Sequence, residues 1–151
     1  MKVSISANNW FKKIRKRYHN LDVNQYSSLD FFPEEWSLIY LYGNLGMWKT
    51  TLVQALLWRT LWEISITSPT YTYYNYYHPD VYHFDLYRLT SYDEFFHIWG
   101  EDILLERRKW LIFVEWPERI DQHIKADYSI HIYSWKDEIY RDIVITPQHL
   151  S

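Results

Sequence analysis

The chain contains no cysteine, which excludes disulfide bonds and thiolate metal sites. It also has no apolar run near the roughly 20 residues that a membrane-spanning helix needs. The basic residues near its N-terminus precede no apolar segment of the kind found in signal peptides, so we expect a cytoplasmic protein without membrane contact. The net charge of −3 gives no general attraction to DNA or RNA, so any RNA contact would be local or made through a partner.

Glycine is scarce in this sequence and tryptophan is abundant. The 151 residues include 3 glycines and 9 tryptophans, whereas ordinary usage predicts about 11 glycines in a chain of this length. Glycine in place of about eight tryptophans would restore the usual number. A single kind of exchange would therefore remove the shortage of glycine.

Residues 43–51 match a phosphate-binding loop except at one position. The residues in order are Gly43, Asn44, Leu45, Gly46, Met47, Trp48, Lys49, Thr50 and Thr51. The pattern G-x-x-x-x-G-K-[ST] has glycine in place of Trp48, because backbone N–H groups close around phosphate oxygens there. A β-favouring run at 37–42 precedes the loop and a run with helical spacing at 50–61 follows it, which is the context that the motif requires. The sequence therefore predicts a phosphate site that is either broken or altered at position 48.

Glu115 and Asp85 are the candidate acids for this site. Glu115 follows the apolar residues 110–114 and could hold a metal ion, although a surface glutamate after a buried strand has the same pattern. Asp85 could serve the site, lie on a wet strand face with His83 and Tyr87, or form a structural ion pair with Arg88. Because a phosphate loop needs an acid at a neighbouring strand end, we favour the site role for both.

The remaining patterns predict elements around this centre. We expect an amphipathic helix at 8–18, an irregular connection at 20–35, a hairpin-like pair at 71–77 and 81–87, a helix at 91–108 broken at Gly100, and an antiparallel pair at 128–134 and 140–145. Ser91 and Glu94 are placed to form a capping box. The basic face of the first helix is either solvated or an RNA-binding patch. The tyrosines of the hairpin either stack on single-stranded RNA or pack on one another, and the lack of interleaved lysine or arginine favours packing.

Four segments in this order resemble the TsaE (YjeE) family, the bacterial ATPases of tRNA threonylcarbamoyladenosine biosynthesis: residues 41–52, 68–70, 82–89 and 115–119. The resemblance implies a single-domain α/β fold like that of P-loop NTPases, with a mixed parallel and antiparallel sheet flanked by helices. Residues 1–36 would form an N-terminal helix and connection of the same domain, and residues 37–151 the P-loop ATPase core.

The same resemblance implies ATP and Mg²⁺ as cofactors. Lys49 would bind phosphates, Thr50 and Glu115 would hold Mg²⁺, and Asp85 would be an essential acid near the nucleotide that residues 43–51 bind. Thr70 would belong to a switch segment that responds to the γ-phosphate. The family acts with a TsaD/TsaB-type complex that attaches threonylcarbamoyl to adenosine 37 of tRNA. ATP hydrolysis would support the turnover of that complex, and the tRNA would be met only through it.

The departures from the family pattern repeat one substitution. The family has glycine at Trp48 and commonly near Trp36, Trp62 and Trp110, whereas Trp116 belongs to its Glu-Trp-Pro pattern. We hypothesise that the gene uses UGA for glycine and was translated with a table in which UGA encodes tryptophan. Taken literally, Trp48 would obstruct phosphate and strain the backbone, which would make the chain a pseudo-ATPase that serves as a binding module.

Overall fold

The computed structural model describes residues 16–31, 36–44, 47–58, 72–77, 80–106, 109–134 and 140–148. Within these ranges the chain forms a seven-stranded sheet with the order β1-β7-β6-β2-β5-β4-β3. The strands are β1 (Lys16–Leu21), β2 (Leu38–Tyr42), β3 (Tyr74–Tyr77), β4 (Val81–Asp85), β5 (Leu111–Glu115), β6 (Tyr128–Ser134) and β7 (Arg141–Pro147). The α-helices are α1 (Lys49–Trp58), α2 (Tyr92–His97) and α3 (Gly100–Leu105), and 3₁₀ helices span Val23–Ser28 and Pro117–Arg119.

The sheet is mixed, as predicted. Strand β2 pairs in parallel with β5 and β6, and β5 pairs in parallel with β4. The outer pairs, β1 with β7, β6 with β7 and β3 with β4, are antiparallel. Because β2, β4 and β5 run in the same direction, their carboxyl ends meet at one edge of the sheet. The predicted loop after β2 and the predicted acids at the ends of β4 and β5 therefore share that edge.

Both faces of β2 are buried, which explains its continuous apolar sequence. Side chains alternate along the strand, so Ile39 and Leu41 pack on the face that includes Leu52 and Leu57 of α1. The opposite face carries a second buried cluster, which includes Tyr40 of β2 and Phe95 of α2. The parallel centre of the sheet is thus fixed between two apolar layers, and the loop after β2 starts from a rigid strand.

The N-terminal predictions need correction. Residues 16–18 of the predicted helix at 8–18 belong to β1, because they pair with residues 143–145 of β7; residues 8–15 lie outside the described residues. The connection predicted at 20–35 is partly regular, since β1 extends to Leu21 and a 3₁₀ helix follows with Asp22 as its N-cap. The segment before residue 37 thus contributes a strand to the same sheet.

The helix predicted at 91–108 is two short helices separated by Ile98 and Trp99. Gly100 begins the second helix, so the break precedes it. Ser91 caps α2, as predicted, by accepting a hydrogen bond from the Glu94 N–H (3.2 Å). The second hydrogen bond of the predicted capping box, from the Ser91 N–H to the Glu94 carboxylate, is replaced by one from the N–H of Thr90 (2.9 Å).

The two tyrosine-rich strands form the predicted hairpin-like pair, β3 with β4. Their rings pack on one another: Tyr82 lies 4.9 Å from Tyr76 and 5.9 Å from Tyr74 between ring centroids, and 5.3 Å from Trp110. These contacts favour packing over RNA stacking as their role.

In the part of the chain that the structure describes, no helix has the length and apolar character required to cross a membrane.

Candidate functional site

The loop after β2 is closely packed where it leaves the sheet. A Cβ atom on Gly43 would lie 3.1 Å from Met47 Cβ and 3.4 Å from the carbonyl oxygen of Ile132, so a side chain there would crowd both neighbours. Trp48, at the other end of the loop, has a left-handed backbone with φ of 64°. Its carbonyl accepts the N–H of Leu52 at 3.0 Å, directly at the start of α1. Trp48 therefore has the backbone conformation that favours glycine, the residue that the loop pattern has at this position.

Lys49 is buried at the start of α1, with 6% of its surface exposed. Its ammonium group donates hydrogen bonds to the carbonyl oxygens of Gly43 and Asn44, the latter at 3.3 Å. The same group lies 4.1 Å from the centre of the Trp116 ring, in cation–π geometry. The lysine is thus held by the loop on one side and by the turn after β5 on the other.

Burial also affects the charge of Lys49. Desolvation lowers its pKa, and the negative charges of Glu115, Glu118 and Asp85 act in the opposite direction. A buried ammonium group is stabilised by an anion at short range. The group is therefore suited to a ligand with negative charge, such as a phosphate.

Glu115 joins three elements at this edge of the sheet. Its Oε2 atom accepts the Thr50 hydroxyl at 2.8 Å and lies 2.5 Å from Nε2 of His83. The Glu115 and His83 side chains are 5% and 0% exposed, respectively. The interpretation of Glu115 as a surface glutamate is therefore wrong, because the strand end is covered by α1 and β4.

Asp85 lies beside Glu115, since the two residues pair in the parallel register of β4 and β5. Asp85 is half-buried, and its Oδ1 accepts the backbone N–H of Tyr87 at 3.0 Å. One alternative placed Asp85 on a solvent-exposed strand face together with His83 and Tyr87. It is wrong for His83, which is fully buried on the face that it shares with Asp85. The structure thus places both predicted acids at one edge, next to Lys49 and Thr50.

The other predicted residues are distributed around this centre. Met47 packs against the core, Thr51 lies in α1, and Asn44 is exposed. Leu45, Gly46 and Thr70 lie outside the described residues. Their assignments to the nucleotide loop and the switch segment stay predictions.

The donor set suits Mg²⁺ only together with a ligand. Among the described residues, no group of three or more histidine, cysteine, aspartate or glutamate side chains could hold a metal ion. Thr50 and Glu115 nevertheless provide a hydroxyl and a carboxylate oxygen in contact with each other. Mg²⁺ commonly binds through one or two such oxygens and completes its shell with water and substrate phosphates. These two residues therefore fit a metal ion that is bound with a phosphate ligand.

Two residues of the site had no assigned role in the sequence. His83 contacts Glu115 and Trp116 faces Lys49. Spacing offers a weak signal for His83, which precedes Asp85 by two residues on a strand and therefore shares its face. Trp116 follows Glu115 directly, but its position over the ammonium group depends on a left-handed backbone with φ of 57°.

Four of the described tryptophans have left-handed backbones: Trp36, Trp48, Trp99 and Trp116. Two of them, Trp36 and Trp48, are positions where glycine was expected. Trp110 has no such backbone and packs against Tyr76 and Tyr82, so its conformation gives no reason for glycine. Trp62 lies outside the described residues.

Comparison with known proteins gives one consistent result. The family model for the threonylcarbamoyl adenosine biosynthesis protein TsaE matches residues 9–143. The chain is 34% identical over 101 residues to the tRNA threonylcarbamoyladenosine biosynthesis protein TsaE of Treponema pallidum, covering 66% of this chain and 73% of the relative. It is 36% identical over 117 residues to the protein of the same name from a Nostoc species, covering 74% and 70%.

The fold also resembles a solved structure, that of YdiB from Bacillus subtilis. The TM-score is 0.63 at 21% sequence identity, and the alignment covers 90% of this chain and 87% of the other. At this identity the likeness concerns the fold alone.

Proposed function

The chain belongs to the TsaE family, and we propose that it binds ATP with Mg²⁺ and hydrolyses it as a subunit of the machinery for tRNA threonylcarbamoyladenosine biosynthesis. One observation carries the proposal. The Thr50 hydroxyl donates to Glu115 at 2.8 Å, and the buried Lys49 directly precedes Thr50 at the edge where parallel strands end. A lysine, a hydroxyl and an acid in this arrangement are the parts that phosphoryl transfer in P-loop proteins requires.

In this proposal Lys49 pairs with the β and γ phosphates. The ammonium group now donates to the carbonyl oxygens of Gly43 and Asn44, which are neutral acceptors. Phosphate oxygens would replace them as charged acceptors, which bind an ammonium group more strongly. Helix α1 begins at the same residue, and the unpaired N–H groups of its first turn add a positive field. Both effects stabilise the negative charge of the phosphates.

Thr50 and Glu115 would hold Mg²⁺, which when bound neutralises charge on the phosphates. Glu115 already accepts the Thr50 hydroxyl proton, so the threonine oxygen keeps its lone pairs for the metal ion. Asp85, beside Glu115 in the register, is the second acid and would orient the attacking water. We assign no threonylcarbamoyl transfer to this chain.

The proposed partner is a TsaD/TsaB-type transferase complex, whose repeated turnover ATP hydrolysis would support. The tRNA would be met through that complex, because the chain has a net charge of −3 and no general attraction to nucleic acid. Family membership supports this placement.

The test is titration calorimetry of the chain with ATP in the presence of Mg²⁺, with Lys49→Ala as the comparison. We expect Lys49→Ala to weaken ATP binding about 100-fold or more, because it removes a desolvated charge from the phosphates. Lys109→Ala is the matched control, since Lys109 contacts Glu106 on the surface and its loss leaves the affinity unchanged. Equal ATP affinities of the wild type and Lys49→Ala would contradict the nucleotide site.

Trp48 favours a second candidate function, a pseudo-ATPase that binds the partner complex without using nucleotide. The residue is tryptophan where the loop pattern has glycine, and 51% of its surface is exposed. The two candidates differ in ATP hydrolysis measured with the partner complex present. Binding to the complex with no hydrolysis above the background of Lys49→Ala would favour the pseudo-ATPase.

A further inference from the structure

We infer that His83 is a positioning residue for the metal site, which holds the Glu115 carboxylate in the orientation that a divalent cation requires. The inference rests on the proposed nucleotide and Mg²⁺ site and adds a residue to it. The two side chains are buried, and Nε2 of His83 lies 2.5 Å from Oε2 of Glu115.

The direction of this hydrogen bond follows from its partner. A carboxylate only accepts, so Nε2 carries the proton and donates. Nδ1 of the same ring is buried and has no hydrogen-bond partner within the described part of the chain. A buried ring nitrogen without a partner opposes folding. Packing alone therefore does not explain a histidine at this position, whereas its contact with Glu115 does.

Two donors approach the carboxylate from different elements. The imidazole comes from β4 and the Thr50 hydroxyl from α1, and both reach Oε2. These bonds fix the rotation of the carboxylate and, among the described residues, leave Oε1 without a hydrogen bond from a side chain. Oε1 is then the atom available to a metal ion or to a water molecule bound to it. Ligands oriented by such outer hydrogen bonds bind metal ions more tightly than free ones.

The register explains why β4 can supply this donor. Asp85 pairs with Glu115 and His83 pairs with Phe113, so His83 lies one pleat before the acids on the same face. Its side chain approaches Glu115 diagonally from the neighbouring strand. Asp85 remains at the strand end, where it can face the ligand. The two residues of one strand thus serve the site in different ways.

The test compares His83→Gln with His83→Asn. The amide nitrogen of glutamine reaches the position of Nε2, whereas that of asparagine reaches only the position of Nδ1. The measurement is the affinity of Mn²⁺ for the protein saturated with ADP, followed by electron paramagnetic resonance. ADP affinity in EDTA and the melting temperature are measured alongside. His83→Leu is a second variant without a donor, in case asparagine disturbs folding.

We expect the variants without a donor at the Nε2 position to weaken Mn²⁺ binding by about 10- to 100-fold. His83→Gln should stay within about threefold of the wild type, and ADP affinity in EDTA should be unchanged in all variants. Wild-type Mn²⁺ affinity in both His83→Asn and His83→Leu would overturn the inference alone. If a variant without a donor lost as much ADP affinity in EDTA as Mn²⁺ affinity, the role of His83 would be structural and the inference would be overturned. A wild type that binds no nucleotide would instead overturn the proposed function, and this inference with it.

Discussion

Trp48 and Trp116 both adjoin Lys49 and have nearly the same backbone, with φ of 64° and 57°. Their surroundings differ. The Trp116 ring faces the Lys49 ammonium group at 4.1 Å and lies 5.0 Å from the Tyr87 ring. Trp48 is half exposed, and its ring makes no aromatic or cation contact with any residue that the structure describes.

The difference shows that a tryptophan with a left-handed backbone can be stabilised by contacts of its ring or can lack such contacts. A non-glycine residue in this region costs about 1–2 kcal/mol. At position 116 the ring contacts offset that cost, because the cation–π pair of the partly buried Trp116 with the buried Lys49 contributes about 1 kcal/mol or more. At position 48 the described residues provide no comparable contact. The tryptophan after β5 therefore belongs to the site, and the one before α1 occupies a position suited to glycine.

The substitution Trp48→Gly has the largest expected effect on ATP affinity among changes at these positions. It removes an indole from the point where backbone N–H groups must approach phosphate, so we expect affinity for ATP with Mg²⁺ to rise by about tenfold or more. Titration calorimetry measures the change. Trp48→Ala is the matched control, because it removes the indole and keeps the Cβ atom that strains the backbone.

Equally tight ATP binding by the wild type and Trp48→Gly would show that the indole does not obstruct phosphate, and the two tryptophans would then differ only in the contacts of their rings. A gain in Trp48→Ala as large as that in Trp48→Gly would assign the effect to the ring and none of it to strain.

The same exchange at the other tryptophan should act in the opposite direction. Trp116→Gly relieves the same strain but removes the ring over Lys49, so we expect ATP affinity to fall about fivefold, which corresponds to about 1 kcal/mol of cation–π interaction. Trp116→Phe retains an aromatic face and should lose less. A rise in affinity for Trp116→Gly, measured by the same calorimetry, would remove the distinction between the two positions.

Much of this edge of the sheet is predictable from sequence, because its parts are local. The loop pattern, the apolar run of β2 and the acid after β5 each occupy a short segment, and the parallel sheet brings them together by topology. The α2 cap at Ser91 is equally local. Local patterns therefore suffice for the positions of Lys49, Thr50 and Glu115.

The features that the sequence did not predict involve residues whose conformation or burial depends on neighbours distant in the chain. The sequence of β1 is polar and basic, and it becomes a strand because β7 offers an edge to pair with. Alternation alone leaves open whether His83 faces water or the core. In the structure it is buried against Glu115, whose carboxylate also contacts Thr50 of α1. The left-handed backbone at Trp99 likewise follows from the junction of two helices, which periodicity does not reveal.

Trp99 provides the smallest test, because it has the strain of Trp48 without the site. Its φ is 65°, the residue is 69% exposed, and it precedes α3 as Trp48 precedes α1. We expect Trp99→Gly to raise the free energy of unfolding by about 0.5–1 kcal/mol, since relief of strain exceeds the added chain entropy of glycine. That gain would appear as a rise of about 2 °C in the melting temperature, with ATP affinity unchanged.

Trp99→Ala keeps the Cβ atom and should not give this gain. If the tryptophans at 36, 48 and 99 are glycine positions in the gene, their codons will be UGA, whereas the codon for Trp116 will be UGG. A UGG codon at position 48 would refute the reassignment. Stabilisation by Trp99→Gly would then still hold, because the strain belongs to the polypeptide whatever codon encodes it.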